Sequence, residues 1–126
     1  MSFEKLLEDK LVEYIDSEVI SAFLSAVNDQ TINKNIEDKK NLKIVYTPLN
    51  GTGLTCVASA LKQNGYTNIS VVESQKYPDG KFPTCPYPNP EEKDALIEGI
   101  KLCKKTNADI LWLLIQIVQC RHCRKA

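Results

Sequence analysis

Two short patterns in the 126-residue sequence are of residue types that could do chemistry. The first is Asn50-Gly51-Thr52-Gly53. Glycines in such a turn let main-chain amides approach a ligand, and a helix opening directly after it points its positive end to the same place. The run could therefore cradle a phosphate. A full dinucleotide fingerprint wants a third glycine where Cys56 stands, although Glu73 falls where a ribose-binding acid would be. The same turn also reads as a tight strand-to-helix connection that needs glycine for backbone reasons alone. The second pattern is Cys120-Arg121-His122-Cys123, with the C-x-x-C spacing of a zinc knuckle or a redox pair. No second pair supplies the remaining zinc ligands, and a redox motif would open a helix. The reading is a basic tail that binds no metal. The sole histidine is His122, no Ser-His-Asp or Cys-His arrangement is available, and no two acids are placed for acid–base work.

The elements that position the glycine turn are legible around it. Leu42–Tyr46 is a short strand of β-branched and aromatic residues, stopped by Thr47-Pro48 because proline cannot donate to a sheet ladder. A helix over 53–64 follows, with Leu54, Val57, Ala58 and Leu61 on one face and Gly65 closing it. A second strand runs over 69–73. Ser74–Pro90 then holds five of the six prolines, and seventeen residues without periodicity mark a functional loop or a linker. Asn89-Pro90-Glu91-Glu92 predicts a capped helix start, and the helix runs to 105. A third strand over 109–118 is a near-continuous apolar run and belongs in the middle of a parallel sheet. Before the turn, helices are predicted at 3–14 and 17–28, the second capped by Asp16 or Ser17, followed by a polar connector. Strands alternating with helices argue α/β with right-handed crossovers.

Sixteen basic and sixteen acidic residues balance, so nothing favours nucleic acid or an acidic membrane. Acids stand at the N-terminus where an apolar export signal would be, and Gln116 breaks the longest apolar run. The five cysteines are read as reduced thiols of a cytoplasmic protein.

Four runs, taken together, resemble the phosphohexomutase family. They are Tyr46-Thr47-Pro48-Leu49-Asn50-Gly51-Thr52-Gly53, Pro78-Asp79-Gly80-Lys81-Phe82-Pro83, Pro88-Asn89-Pro90-Glu91 and Asn107-Ala108-Asp109-Ile110. Their order and spacing are similar to the second domain of its phosphoglucomutase/phosphomannomutase branch. The resemblance implies a three-layer α/β/α domain with a mainly parallel sheet over 42–118, a helical lead-in over 1–41 and an irregular basic tail over 119–126. It implies a parent isomerase that interconverts hexose 1-phosphate and 6-phosphate through a phosphoserine in another domain and Mg²⁺ on an Asp-x-Asp-x-Asp-Arg loop. Asn50, Gly51, Thr52 and Gly53 would then lie on the rim of the substrate cleft. The chain departs where the metal loop should begin. Trp112-Leu113-Leu114-Ile115-Gln116-Ile117-Val118 stands there, and no aspartate follows Asp109. The substituted run is consistent with a reading-frame slip, which resequencing around codon 111 tests. The expectation is a fragment with no metal site, no catalytic residue and no turnover by itself. Two other readings stay open: a nucleotide-binding α/β module using Gly51, Gly53 and Glu73, and a non-catalytic interaction protein using a sheet edge or the Cys120/Cys123 tail.

Overall fold

The computed structural model describes residues 2–32, 35–89, 91–114 and 120–124, the last of these by their backbone alone. The chain divides into two compact units, Met1–Thr31 and Ile32–Ala126.

The first unit holds α1 (Phe3–Glu8) and α2 (Ser17–Asp29). Asp16 caps α2 as expected, its Oδ1 accepting from the Val19 amide at 2.9 Å. The helix expected over 3–14 stops six residues early. Lys10 takes φ +55°, and the Leu11 amide folds back to the Leu6 carbonyl at 2.9 Å. This is the Schellman closure, and a lysine in the left-handed position gave no warning of it. Along α2 only Leu24 is buried; Val19, Phe23 and Val27 are exposed.

The second unit is built on β1 (Ile44–Thr47), α3 (Leu54–Gln63), β2 (Ile69–Val71), α4 (Lys93–Thr106), β3 (Ile110–Leu114) and β4 (Cys120–Arg124). The strand order is β2-β1-β3-β4. β1 pairs parallel with both neighbours, Ile44 facing Ile69 on one side and Ile110 on the other. All of β1 is buried, as a central parallel strand must be. The core on the α4 side gathers Val45, Val72, Ala95, Leu111 and Leu113. Strand alternation sends Tyr46 and Leu114 the other way, toward Gly53 at the head of α3. Helices therefore cover both faces, and the expected α/β/α layering is present.

Three details differ from the expectation. The strand expected over 109–118 is described as far as Leu114; residues 115–118 lie outside the described residues. The tail is not irregular throughout: 120–124 form β4, antiparallel to β3 with Leu113 facing Arg121. An unpaired edge of β3 offers a row of amides and carbonyls, and a returning chain satisfies them. The remaining tail residues, the side chains of 120–124 and Pro90 lie outside the described residues. Finally, α4 begins at Lys93, two residues after the expected start at 91, and is not capped by Asn89. Asn89 instead holds a turn, its Oδ1 accepting from the Glu91 amide at 3.1 Å and its carbonyl from Glu92 at 2.9 Å.

Gly65 and Asn107 close α3 and α4 as Lys10 closes α1. The Tyr66 amide reaches the Leu61 carbonyl and the Ala108 amide the Cys103 carbonyl, both at 3.0 Å, with Gly65 at φ +92° and Asn107 at φ +53°. Gly99 has a different reason. It lies mid-helix, where glycine costs about 1 kcal/mol against alanine. A Cβ there would lie 2.7 Å and 3.1 Å from the two terminal methyls of Leu111. The missing side chain is what lets α4 sit down on β3.

That contest of magnitudes gives a test. Gly99→Ala gains the helix term but overpacks a core position, which typically costs about 1–3 kcal/mol. The variant is expected to unfold at lower urea than the parent, and Gly99→Ala/Leu111→Val to recover part of the loss. A Gly99→Ala protein more stable than the parent would show that α4 does not rest on Leu111.

Candidate functional site

The carboxyl ends of β1 and β3 form the switch point of the sheet, since the chain leaves β1 toward β2 and returns across it to β3. Open α/β sheets bind their ligands in the crevice there. The glycine turn lies at this place. The Gly51 amide donates to the Pro48 carbonyl at 2.8 Å, and the two central residues, Leu49 and Asn50, take φ +50° and +58°. This is the type I′ pattern. Of Asn50, Gly51 and Gly53, whose types permit such angles, only Asn50 takes one, and Leu49 takes the other. Leu49 is 1 % exposed and fills the core beside Val45 and Leu113.

The turn is held from below by the proline-rich loop. Gln75 lies in the short 3₁₀ turn after β2 and is wholly buried. Its Oε1 accepts from Thr47 Oγ1 at 2.7 Å, and its Nε2 donates to Thr84 Oγ1 at 3.1 Å. Its carbonyl accepts from the Asn50 amide at 2.9 Å. Thr47 Oγ1 also accepts from the Leu49 amide at 3.0 Å, which fixes the entry to the turn. Asn50 Nδ2 donates to the Tyr77 carbonyl at 2.9 Å, and the Asn50 carbonyl accepts from the Asp79 amide at 3.1 Å. Further along, Cys85 is buried and its thiol donates to the Tyr87 carbonyl at 2.9 Å. Burial pushes its pKa up, and the carboxylates of Asp94 and Glu92 add to the shift.

The four rim candidates thus divide. Asn50 is buried, and both its main chain and its side chain are spent on the loop, so it acts as a clamp. Gly51 is buried as well. Thr52 is exposed at the crest of the turn. Gly53 precedes α3 with no side chain capping the helix, so the first amides of α3 lack intrahelical partners and open at the sheet's carboxyl end. A Cβ on Gly53 would lie 2.9 Å from both the Tyr46 hydroxyl and Leu114 Cδ1, so close approach explains this glycine. Glu73, the ribose-binding candidate, is exposed at the same sheet end and pairs with Lys76 at 3.3 Å. That carboxylate holds the Lys76 ammonium above the ordinary lysine range. Asp109, the last aspartate of the chain, sits at the opposite end of the sheet. Its Oδ2 accepts from the Lys43 amide at 2.9 Å. Among the described residues no three His, Cys, Asp or Glu side chains gather as a metal site. Gln75 and Thr84 went unread in the sequence, because a polar residue inside a proline-rich loop looks like any solvated loop residue, and Thr47 was read only as the end of the strand.

Residues 21–114 match the profile of the phosphoglucomutase/phosphomannomutase family, alpha/beta/alpha domain II. A probable phosphomannomutase of Haemophilus influenzae is 35% identical over 97 residues, covering 77% of this chain and 19% of that protein. A phosphomannomutase of Mycoplasmoides pirum is 32% identical over 104 residues, covering 82% and 19%. A phosphoribomutase of Saccharomyces cerevisiae is 34% identical over 115 residues, covering 85% and 18%. The chain spans about a fifth of the length of these curated relatives. No solved structure matches it.

Two measurements test the clamp. Gln75→Leu leaves the buried Thr47 hydroxyl and the half-buried Thr84 hydroxyl without this partner and is expected to cost about 1–3 kcal/mol in urea unfolding. Because replacing both partners costs less than orphaning one, Thr47→Val/Gln75→Leu should lose less than the sum of the single changes; strict additivity would show that the two side chains are not coupled. For Cys85, a raised pKa in the folded state leaves less thiolate at any pH below it. Iodoacetamide should therefore label Cys85 more slowly than Cys56 or Cys103, with a rate profile displaced to higher pH than that of a free thiol. Equal labelling of the three in the native protein would contradict the burial.

Proposed function

The chain belongs to the phosphoglucomutase/phosphomannomutase family, as its α/β/α domain II, and on that footing we propose that it is one wall of a hexose-phosphate cleft without turnover of its own. The single observation that carries this reading is the switch point. The uncapped start of α3 and the exposed Thr52 open there, yet no carboxylate stands where the chain leaves β3.

A helix start with free amides suits the phosphate of a sugar phosphate. Thr52 and Gly53, with the amides of Leu54 and Thr55, are the groups that would border it. Asn50 and Gly51 shape the turn beneath them rather than touching a ligand. The Mg²⁺ that the family uses does not fit this chain. Hard cations of this kind need carboxylate oxygens, and the one aspartate near β3 faces away from the cleft end and is committed to Lys43. Phosphoryl transfer depends on charge neutralisation and on a group that carries the phosphoryl between positions. Losing both should exceed the ~10²–10³-fold effect of removing one charge-stabilising donor.

Two readings of one preparation test this. In a coupled assay with glucose 1-phosphate, its bisphosphate activator and Mg²⁺, the purified chain is expected to stay at the blank rate. Activity that follows the chain through two purification steps would refute the inactive reading. In amide chemical-shift titrations, glucose 1-phosphate should perturb residues 52–56 first. Perturbations centred away from that turn would refute the cleft-wall reading whatever the assay gives.

A further inference from the structure

A cavity of about 380 Å³ opens beside the carboxyl end of β2. It is walled by Val71, Val72, Glu73 and Ser74 on one side and by α4 on the other, through Glu98, Lys101, Leu102 and Lys105. That volume is within the small-molecule range of roughly 300–1,000 Å³. The valines and Leu102 give it an apolar lining. Its charged rim is mostly neutralised internally. Lys101 Nζ lies 2.7 Å from Glu98 Oε1, and Glu73 is paired with Lys76. Two polar groups are left over. Among the described residues, neither the Ser74 hydroxyl nor the Lys105 ammonium has a hydrogen bond or ion-pair partner.

We propose that this cavity binds a small amphiphilic anion, its carboxylate or phosphate held by Lys105 and Ser74 and its apolar body laid over Val71 and Leu102. An exposed lysine alone binds an anion weakly, because water and salt screen it. An apolar wall alone would take any greasy molecule. The two side by side select ligands carrying both features. The site is built entirely on β2, the turn after it and α4, and it does not depend on the cleft reading.

The test titrates the full chain, followed by amide chemical shifts, with four probes: benzoate, phenyl phosphate, benzyl alcohol and inorganic phosphate. Benzoate or phenyl phosphate should perturb 71–74 and 98–105 with a Kd on the order of 1 mM, ordinary for so small a ligand. Which of the two is tighter identifies the head group. Benzyl alcohol and inorganic phosphate each lack one feature and should bind more weakly than both. Lys105→Gln should weaken the better anion at least about threefold, the scale of one exposed charge, and Lys104→Gln should leave it unchanged. The proposal fails if no saturable perturbation appears at ten times that concentration. It fails equally if the shifts centre elsewhere, if either half-probe matches the amphiphilic anions, or if Lys104→Gln loses as much as Lys105→Gln.

Discussion

The buried hydrogen bond from Thr47 Oγ1 to Gln75 Oε1 joins the two segments from which the carboxyl end of the sheet is made. The bonds of Asn50 to Gln75, Tyr77 and Asp79 tie the same turn after β1 to the same proline-rich loop after β2. One wholly buried amide side chain serves both segments, and the main chain of the same residue takes the Asn50 amide. A buried glutamine is costly unless every group finds a partner. Here the carbonyl oxygen meets Thr47 and the amide nitrogen meets Thr84. The interaction is short, dry and local to the place where an open α/β sheet presents its ligands. It fixes the turn's position from inside, which frees the outward amides at the start of α3.

The sheet depends on a second kind of constraint, close approach. Gly53 lets the head of α3 meet Tyr46 and Leu114 on one face, and Gly99 lets α4 meet Leu111 on the other. Both glycines have ordinary negative backbone angles and are required for lack of bulk. β1 lies between them with no exposed residue, flanked by parallel partners on either side. The antiparallel β4 pairs the far side of β3, so among the described residues the sheet's two edge strands are the short β2 and β4.

Most of this architecture was legible from period and punctuation. A run such as Ile44-Val45-Tyr46 ended by Thr-Pro has few alternatives to a buried strand, and Leu54, Val57, Ala58 and Leu61 could only be a helix face. Asp16 and Gly65 did what their chemistry predicts at helix ends. The failures share a cause. Lys10 and Leu49 occupy left-handed backbone that residue type does not announce. Asn89-Pro90-Glu91-Glu92 carries a helix-start signal, yet the turn claims it and the helix begins at Lys93. Gln75 could not be singled out, because burial of a loop side chain is decided by segments distant in the sequence. β4 was missed because a short charged stretch shows no strand period until a neighbouring edge is there to pair it. At the candidate site the turn itself was legible, but which of its groups face the loop is set by segments distant in the sequence.

Leu49 shows what such a position means for the energy landscape of the chain. Its backbone asks for glycine and its surroundings ask for a large apolar side chain, and no natural residue meets both demands. The left-handed backbone costs a non-glycine residue roughly 1–2 kcal/mol, whereas emptying a buried leucine site costs about 2.7–5 kcal/mol. Filling the core wins, and the chain tolerates a small, permanent frustration as the lesser loss. Such a site sits in a narrow local optimum. Neighbouring substitutions lead downhill in stability whether they relax the backbone or enlarge the side chain, so sequence drift at this point of the molecule is confined from both directions.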